Sequence, residues 1–157
     1  MYSHAPVDYR CPFCTFLRSP SSPGVASAET DLVFQNETAT AFIGLRQWPR
    51  NPGNTLIVPN RHFENIYELP VEWAAHIHAL AKAVALVMKE AFQCQGVSLR
   101  QHNEPAGNQD VWHYHVHVTP RYLQDDFYTT YLTEGRVMPV EERAELARKL
   151  KAFLAGL

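Results

Sequence analysis

The stretch VWHYHVHVTPR, residues 111–121, governs the interpretation of this chain, because it places three of the eight histidines at every second position. Successive side chains of an extended strand point to opposite faces of a sheet. The sequence therefore predicts a strand that carries His113, His115 and His117 on one face. The opposite face is apolar and is predicted to pack on the core. It is formed by Trp112, Tyr114, Val116 and Val118.

Two kinds of chemistry use imidazoles at this spacing, about 7 Å apart at Cβ along a strand. One is metal binding, because histidines on a strand are frequent ligands of zinc or iron. The other is nucleophilic catalysis at phosphorus. An imidazole with an ordinary pKa of about 6.5 is mostly unprotonated near pH 7, and a neighbouring imidazole can protonate the leaving group. The residues alone leave both open.

The hydrophobic patterns around this segment predict an α+β fold. Short apolar runs separated by Asn, Pro and Gly predict an antiparallel sheet of about five strands. These runs lie at 31–37, 39–45, 54–60, 97–103 and 111–120. One long amphipathic helix is predicted within 69–94, with Pro70 near its start and Gly96 just past its end.

The chain is predicted to form a single domain over residues 1–157. A C-terminal amphipathic helix is expected within 135–157, with acidic residues early and basic residues late, as the helix dipole favours. The Pro- and Ser-rich lead-in of residues 1–30 is predicted to lack regular structure in its middle.

Composition narrows the possible partners and the compartment. The 14 basic and 16 acidic residues nearly cancel and form no basic run, so we expect neither nucleic acid nor an anionic membrane as a partner. We expect no secretory signal and no apolar stretch of membrane-spanning length. Three cysteines, two of them in CPFC, argue against a disulfide framework. The expected location is cytoplasmic.

The alternating segment resembles the signature of the histidine triad (HIT) family, in which three histidines alternate with apolar residues. HYHVHVT, residues 113–119, matches through Val118 and departs at Thr119. NTLIVPNRHFENIYELP, residues 54–70, is similar to the strand and turn that enter the family's long helix. The resemblance covers about residues 31–122. It implies a HIT-like fold and a hydrolase or transferase that acts at the α-phosphate of an AMP-containing purine nucleotide.

The resemblance also implies roles for individual residues. His115 matches the nucleophile that forms a nucleotidyl-histidine intermediate. His117 matches the histidine beside the scissile phosphate, so we expect it to bind the nucleotide and to protonate the leaving group. Gln109 matches a phosphate-contacting Gln, and we expect it to be both catalytic and nucleotide-binding. Asp110 replaces the usual Ser or Thr, and Asn103 matches a family Asn across a one-residue gap. Both are candidate nucleotide-binding residues, with a turn cap as the alternative for Asp110.

CPFC supplies two metal ligands, and a closed zinc site needs two more. The resemblance implies a structural Zn²⁺ held by Cys11, Cys14, His62 and His113, so that residues 1–30 form a zinc-knuckle lead-in. A thioredoxin-type redox pair is the alternative. A bound metal would fix the His113 ring and leave its other nitrogen to orient His115.

Transferase members of the resembled family tend to carry a glutamine where this chain has His117, so the resemblance implies a hydrolase rather than a nucleotidyltransferase. The alternatives are a phosphorylase or transferase with the same intermediate, a nucleotide-binding regulatory module with little activity, and a metalloenzyme that uses the triad as ligands. The resemblance also implies a homodimer formed through the long helix and an adjoining strand. In addition, Gly44 and Leu45 stand where many family members have an Asp that binds ribose.

Overall fold

The computed structural model describes residues 2–22 and 25–154, and those ranges contain four α-helices and seven strands. The helices are α1 (Pro12–Arg18), α2 (Val71–Ala91), α3 (Phe127–Glu134) and α4 (Val140–Leu154). The strands are β1 (Leu32–Gln35), β2 (Ala39–Ile43), β3 (Arg46–Gln47), β4 (Thr55–Pro59), β5 (Gly96–Gln101), β6 (Val116–Arg121) and β7 (Arg136–Val137). Short 3-10 turns lie at Glu29–Asp31 and Pro105–Gly107.

Five of the strands form one antiparallel sheet in the order β1-β2-β4-β6-β5, which confirms the predicted α+β architecture. β3 and β7 form a separate two-stranded sheet that the sequence did not predict. In the main sheet, β6 lies between β4 and β5, so that His117 is paired with Leu56 on one side and with Arg100 on the other. The strand part of the histidine segment is therefore hydrogen-bonded to a neighbouring strand on both sides.

Both faces of the sheet are covered. On one face, the apolar stripe of α2 packs with α4 against alternate residues of β2, β4 and β6, including Ile57 and Val118. On the other face, Phe13 and Phe16 of α1 pack against Phe42, Leu56 and Val58. Alternate strand residues thus enter two different cores, which is why β2 and β4 are buried along their whole length.

The lead-in contains a helix where none was predicted. The Sγ atom of Cys11 accepts a hydrogen bond from the backbone N–H of Cys14 at 3.4 Å, and Pro12 occupies the first helical position. A cap and an N-terminal proline favour a helix start. The burial of Phe13 and Phe16 then anchors the short α1 on the sheet.

Two predicted helix ends need correction. α2 ends at Ala91, and the chain leaves it through Gln93 with a φ of 51°, whereas Gly96 already belongs to β5. The C-terminal helix begins at Val140 rather than at residue 135, because Gly135 and β7 precede it. Residues 155–157 of that prediction lie outside the described residues.

α2 has 21 residues, with a mean hydropathy of 1.3 in its most apolar window. Within the described ranges, it is the one helix long and apolar enough to span a membrane, so the prediction that no stretch reaches that length is wrong. About a third of the window, 33%, is buried inside the protein. The packing of its apolar stripe on the sheet and on α4 accounts for that burial.

Candidate functional site

The histidine segment borders a cavity of about 500 Å³ on the sheet face that α1 covers. Four parts of the chain form its wall: the lead-in, the connection from β2 to β4, the loop before β6, and the segment from α3 to β7. His115 and His117 both line it, as does His102. The second and third histidines of the alternating segment therefore share one cavity.

The histidine segment is only partly a strand. β6 begins at Val116, so His113 and His115 precede it. The backbone N–H of Tyr114 donates to the carbonyl of Phe63 at 2.6 Å, which holds this part of the chain beside the turn before α2. The predicted alternation of faces is correct from Tyr114 onward, because Tyr114, Val116 and Val118 are buried in the core under α2. Trp112, predicted on the same face, is half-buried outside that core and packs beside His4. The rings of His115 and His117 lie 5.0 Å apart.

His113 is fully buried, and its environment fixes the tautomer. Its Nε2 lies 3.0 Å from the carbonyl oxygen of Pro59, which can only accept, so Nε2 carries the proton. Nδ1 is therefore the free nitrogen, and it lies 3.3 Å from the Sγ atom of Cys11. Burial lowers the pKa of the His113 imidazole to about 4, and the ring is neutral at pH 7. A neutral imidazole with a fixed lone pair is suited to bind a metal.

Cys11, Cys14, His62 and His113 form one cluster whose ligand atoms all lie within 4.8 Å of one another. The Sγ atom of Cys14 lies 3.4 Å from Nδ1 of His62 and 3.6 Å from Nδ1 of His113. In a tetrahedral zinc site with bonds of about 2.0 and 2.3 Å, nitrogen and sulfur ligands are separated by about 3.5 Å. The four residues fit such an ion. Burial raises the pKa of the Cys11 thiol to about 12, so a bound cation would have to displace its proton.

His115 is held through its Nδ1 atom, which lies 2.7 Å from the carbonyl oxygen of His113. Because the carbonyl accepts, Nδ1 carries the proton and the lone pair is on Nε2. Burial lowers the pKa of His115, which keeps the ring neutral near pH 7. The pattern of ligands predicted that the His113 ring would orient His115. The structure corrects this, since the backbone carbonyl makes that bond and the ring nitrogen bonds Pro59.

Phe13 connects the cluster of Cys11, Cys14, His62 and His113 to the cavity. It lies between Cys11 and Cys14 in the sequence, lines the cavity, and is 8% exposed. Its ring meets His115 edge-on with centroids 5.3 Å apart, and meets His113 in the same way at 5.7 Å. No pattern in the sequence indicates this contact, because it depends on how α1 lies on the sheet.

His117 lies deep beside His115. Its Nδ1 atom is buried and has no hydrogen-bond partner among the described residues. Burial, together with the neighbouring His115 and Arg100, holds the pKa of His117 well below its usual value. The ring of His102 lies 5.7 Å away and donates from Nδ1 to the carbonyl of Gly107 at 2.7 Å. The third histidine is thus neutral at rest and free of internal bonds at Nδ1.

Gln109 and Asn103 do not line the cavity. Gln109 is buried, and its amide donates to the carbonyls of Glu64 and Val111 and accepts from the N–H of Glu104. Because the side-chain NH₂ group of Gln109 already donates to two backbone carbonyls, donation to a phosphate would require one of these hydrogen bonds to break. Asn103 accepts from the N–H of Ile66 at 2.9 Å and bonds the side chain of Gln101. Their nucleotide-binding roles stay predictions.

Asp110 lines the cavity together with Asn108. It is exposed, and none of the hydrogen bonds within the described residues involves its side chain. The turn-capping alternative is therefore not what the structure has. Gln109 instead ties the loop together by accepting from the N–H of Glu104 at 2.9 Å.

Most of the far wall of the cavity was not predictable from sequence patterns. Trp48 is buried and also lines the cavity. Its ring stacks on Tyr131 at 4.9 Å, and its Nε1 donates to the Tyr131 carbonyl at 2.9 Å. The guanidinium of Arg100 lies over the Tyr131 ring at 4.1 Å. Arg46, Leu132 and Val137 complete this wall, and no recognisable motif marked them.

Comparison with known proteins relates most of the chain to one family. The family model described as the HIT domain matches residues 25–124. The protein named Protein hit from Bacillus subtilis is 32% identical over 117 residues, which cover 74% of this chain and 74% of that protein. The adenosine 5′-monophosphoramidase of Saccharomyces cerevisiae is 27% identical over 121 residues, covering 77% of this chain and 68% of that protein.

Solved structures share the fold over nearly the whole chain. A Hit-like protein from Bartonella henselae, described as involved in cell-cycle regulation, is 25% identical with a TM-score of 0.73, and the match covers 91% of this chain and 95% of that one. A Zn-bound histidine triad family protein from Mycobacterium smegmatis is 24% identical with a TM-score of 0.73, covering 93% and 94%. The HIT-like fold expected from the sequence is confirmed.

Proposed function

Because the chain belongs to the histidine triad (HIT) family, we propose that it is a nucleotide hydrolase that cleaves at the α-phosphate through a nucleotidyl-histidine intermediate on His115. The observation that carries the proposal is the fixed tautomer of His115. Its Nδ1 proton is held by the His113 carbonyl at 2.7 Å, which leaves the lone pair on Nε2 of a ring that lines the cavity. A neutral imidazole with a free lone pair is a good nucleophile at pH 7.

The first step transfers the nucleotidyl group to the protein. Nε2 of His115 forms a bond to the α-phosphorus while the bond from phosphorus to the leaving oxygen or nitrogen breaks. The leaving atom takes a proton from His117, whose ring lies 5.0 Å from that of His115. Burial disfavours the imidazolium form of His117 in the free protein, and the negative charge of a bound phosphoryl group favours it again.

The second step returns the protein to its starting state. Water attacks the phosphorus, the bond to Nε2 of His115 breaks, and the nucleoside monophosphate leaves. His117, neutral after the first step, accepts the proton of the attacking water. Splitting one displacement into two lets the same pair of imidazoles serve both.

The candidate substrates are phosphoanhydrides and phosphoramidates of AMP. The yeast relative is named an adenosine 5′-monophosphoramidase, which supports a purine nucleotide and an amine leaving group. Trp48 and Tyr131 supply an aromatic wall suited to a base. The roles of Asn103, Gln109 and Asp110 toward the nucleotide belong to this proposal.

We further propose that Cys11, Cys14, His62 and His113 hold a structural zinc ion. The thiolate and imidazole donors and their separations support this, as does the solved Zn-bound family structure of the same fold. Zinc would join α1 to the start of the histidine segment and to the turn at His62. The triad metalloenzyme alternative loses support, because the cluster takes in His113 but neither His115 nor His117.

We also propose a homodimer formed through α2. Val71 is 83% exposed and Leu86 is 54% exposed, and Ala75 and Ala79 lie exposed on the same helix. An apolar helix face of this kind is typical of an interface. Sedimentation should give a dimer for the native chain and a monomer for Leu86→Glu. A monomeric native chain would contradict the proposal. The cytoplasmic location and the lack of nucleic-acid and membrane partners stay predictions.

The proposed hydrolase activity is tested by measuring the release of AMP. The purified chain is incubated with a diadenosine polyphosphate and with an AMP phosphoramidate, and AMP is measured by chromatography. We expect release by the native protein and by His76→Ala, which alters an exposed residue of α2, and none by His115→Ala. Products that contain added inorganic phosphate would indicate a phosphorylase. Calorimetric binding of AMP without any product would indicate the regulatory module.

A further inference from the structure

The cavity beside His115 carries one fixed negative and one fixed positive charge. Among the described residues that line it, Asp110 is the only carboxylate and Arg46 the only guanidinium. Neither side chain forms a hydrogen bond or an ion pair with the rest of the described chain. The hydrogen bond from Asn54 to Arg46 goes to the backbone oxygen of Arg46. Both residues are exposed, so water solvates both charges in the free protein.

A ligand that fills the cavity removes part of this water. A charge that loses water without gaining a partner opposes binding, whereas a charge that meets its opposite does not. The cavity therefore complements a ligand that brings one negative group for Arg46 and one positive group for Asp110. The remaining wall is largely apolar or aromatic, and includes Leu45, Trp48 and Leu132. Among the described residues, the wall carries no second guanidinium and no ammonium group that would pair with additional negative charge.

From this charge pair we infer that Asp110 selects substrates with a positively charged leaving group. The favoured class is an AMP phosphoramidate of an amine that carries a second, protonated amino group. The inference rests on the proposed function, because it names the leaving group for the same site. The α-phosphoryl group supplies the negative charge that Arg46 meets. A polyphosphate would add negative charge beside Asp110 and leave the carboxylate unpaired.

The chemistry of the step is unchanged by this selection. Nε2 of His115 bonds to phosphorus, the P–N bond breaks with its electron pair going to nitrogen, and that nitrogen takes a proton from protonated His117. The second ammonium group takes no part in bond making. It lies against the Asp110 carboxylate until the free diamine departs, and water then releases AMP from His115.

The test compares three substrates in the native protein and in Asp110→Asn, which removes the charge and keeps the size. The substrates are the AMP phosphoramidate of a diaminoalkane, that of an alkylamine of equal length, and diadenosine tetraphosphate. We expect kcat/KM for the cationic substrate to exceed that for the neutral one about fivefold, as for an exposed ion pair, and the ratio to approach one in Asp110→Asn. In Asp110→Asn, kcat/KM for the tetraphosphate, divided by kcat/KM for the neutral phosphoramidate, should be higher than in the native protein. Glu90→Gln, which removes an exposed carboxylate at the end of α2, should keep the native ratios.

A binding measurement separates this inference from the proposed function. Calorimetry with AMP, ADP and ATP should show weaker binding with each added phosphate in the native chain, and a smaller loss in Asp110→Asn. Unchanged substrate ratios and unchanged phosphate dependence in Asp110→Asn would overturn the role of Asp110 and leave the role of His115 intact. Full turnover by His115→Ala would instead overturn the proposed function, and the calorimetry would still report on Asp110.

Discussion

The backbone carbonyl of His113 accepts a hydrogen bond from Nδ1 of His115 at 2.7 Å, so the residue that faces the two cysteines also fixes the tautomer of the proposed nucleophile. The His113 ring is held between the Pro59 carbonyl and the Cys11 sulfur. The position of the whole residue, and with it the carbonyl, is therefore tied to the cluster of cysteine and histidine side chains. The backbone carbonyl of His113 is therefore the group through which the cluster affects the orientation and tautomer of His115.

Loss of the metal ligands should destabilise the domain. We expect the native chain to contain about one zinc ion and Cys11→Ser to contain none, measured by atomic emission. If the ion contributes about 3 kcal/mol, its loss lowers the Tm of a domain of this size by roughly 10 °C. Cys94→Ala is the matched control, because Cys94 is buried outside the cluster. Equal zinc content in native and Cys11→Ser proteins would exclude this ligand set.

Phe13 should influence the His115 nucleophile without contacting the reacting atoms. Its edge-on contact with His115 at 5.3 Å is worth about 1 kcal/mol, so Phe13→Leu should lower kcat about fivefold. The His115 ring resonance in an NMR spectrum should shift in the same variant. Phe16→Leu alters a buried ring of the same helix that packs on Phe42 instead, and should leave that resonance in place. Equal effects of both substitutions would mean that Phe13 acts only through stability.

Asp125 should make stability depend on pH. Its carboxylate accepts from Arg121 at 2.7 Å, from Asn51 and from two backbone N–H groups, and the ion pair with Arg121 is the largest cause that holds its pKa below the usual value. Because the pKa of Asp125 is lower in the folded than in the unfolded state, its ionised carboxylate stabilises the fold at pH values above the unfolded pKa of about 3.9. This stabilisation is lost as the pH falls toward the folded-state pKa.

We therefore expect Asp125→Asn to lower the free energy of unfolding by about 2 kcal/mol at pH 7, and the difference from the native chain to shrink below about pH 4. Urea denaturation across this pH range measures it. Asp126→Asn, next in the sequence, removes an exposed partner of Arg50 and should change stability by no more than about 0.5 kcal/mol. A difference for Asp125→Asn that grows on acidification would have the wrong sign for this account.

The parts of the fold that follow from local patterns were predictable. The alternation around Tyr114 and Val116 identified the core face, and the apolar stripe around Ile77 and Val84 identified α2. α3 was not predictable in this way, because FYTTYLTE is rich in aromatic and β-branched residues that favour strands. Burial of Phe127 and the stacking of Tyr131 on Trp48 accompany its helical form, and these are tertiary contacts.

The candidate site divides in the same way. From spacing and family resemblance, His115 and His117 were predicted to lie together, and they line one cavity. Cys11 was predicted to join Cys14, His62 and His113, and the four residues form one cluster. Spacing and resemblance did not foresee that Gln109 would be bonded to three backbone groups, because that depends on the approach of Glu64 from the turn before α2. Nor did they foresee Phe13 beside His115, which depends on how α1 lies on the sheet.

The covalent intermediate is the most direct test of the central claim. The native chain is mixed with an AMP phosphoramidate, quenched within the first turnover and digested, and the peptides are analysed by mass spectrometry under conditions that preserve phosphoramidate bonds. We predict one nucleotidyl group, located on His115. An adduct on His117 or on any other side chain, or full turnover with His115 never modified, would contradict the account.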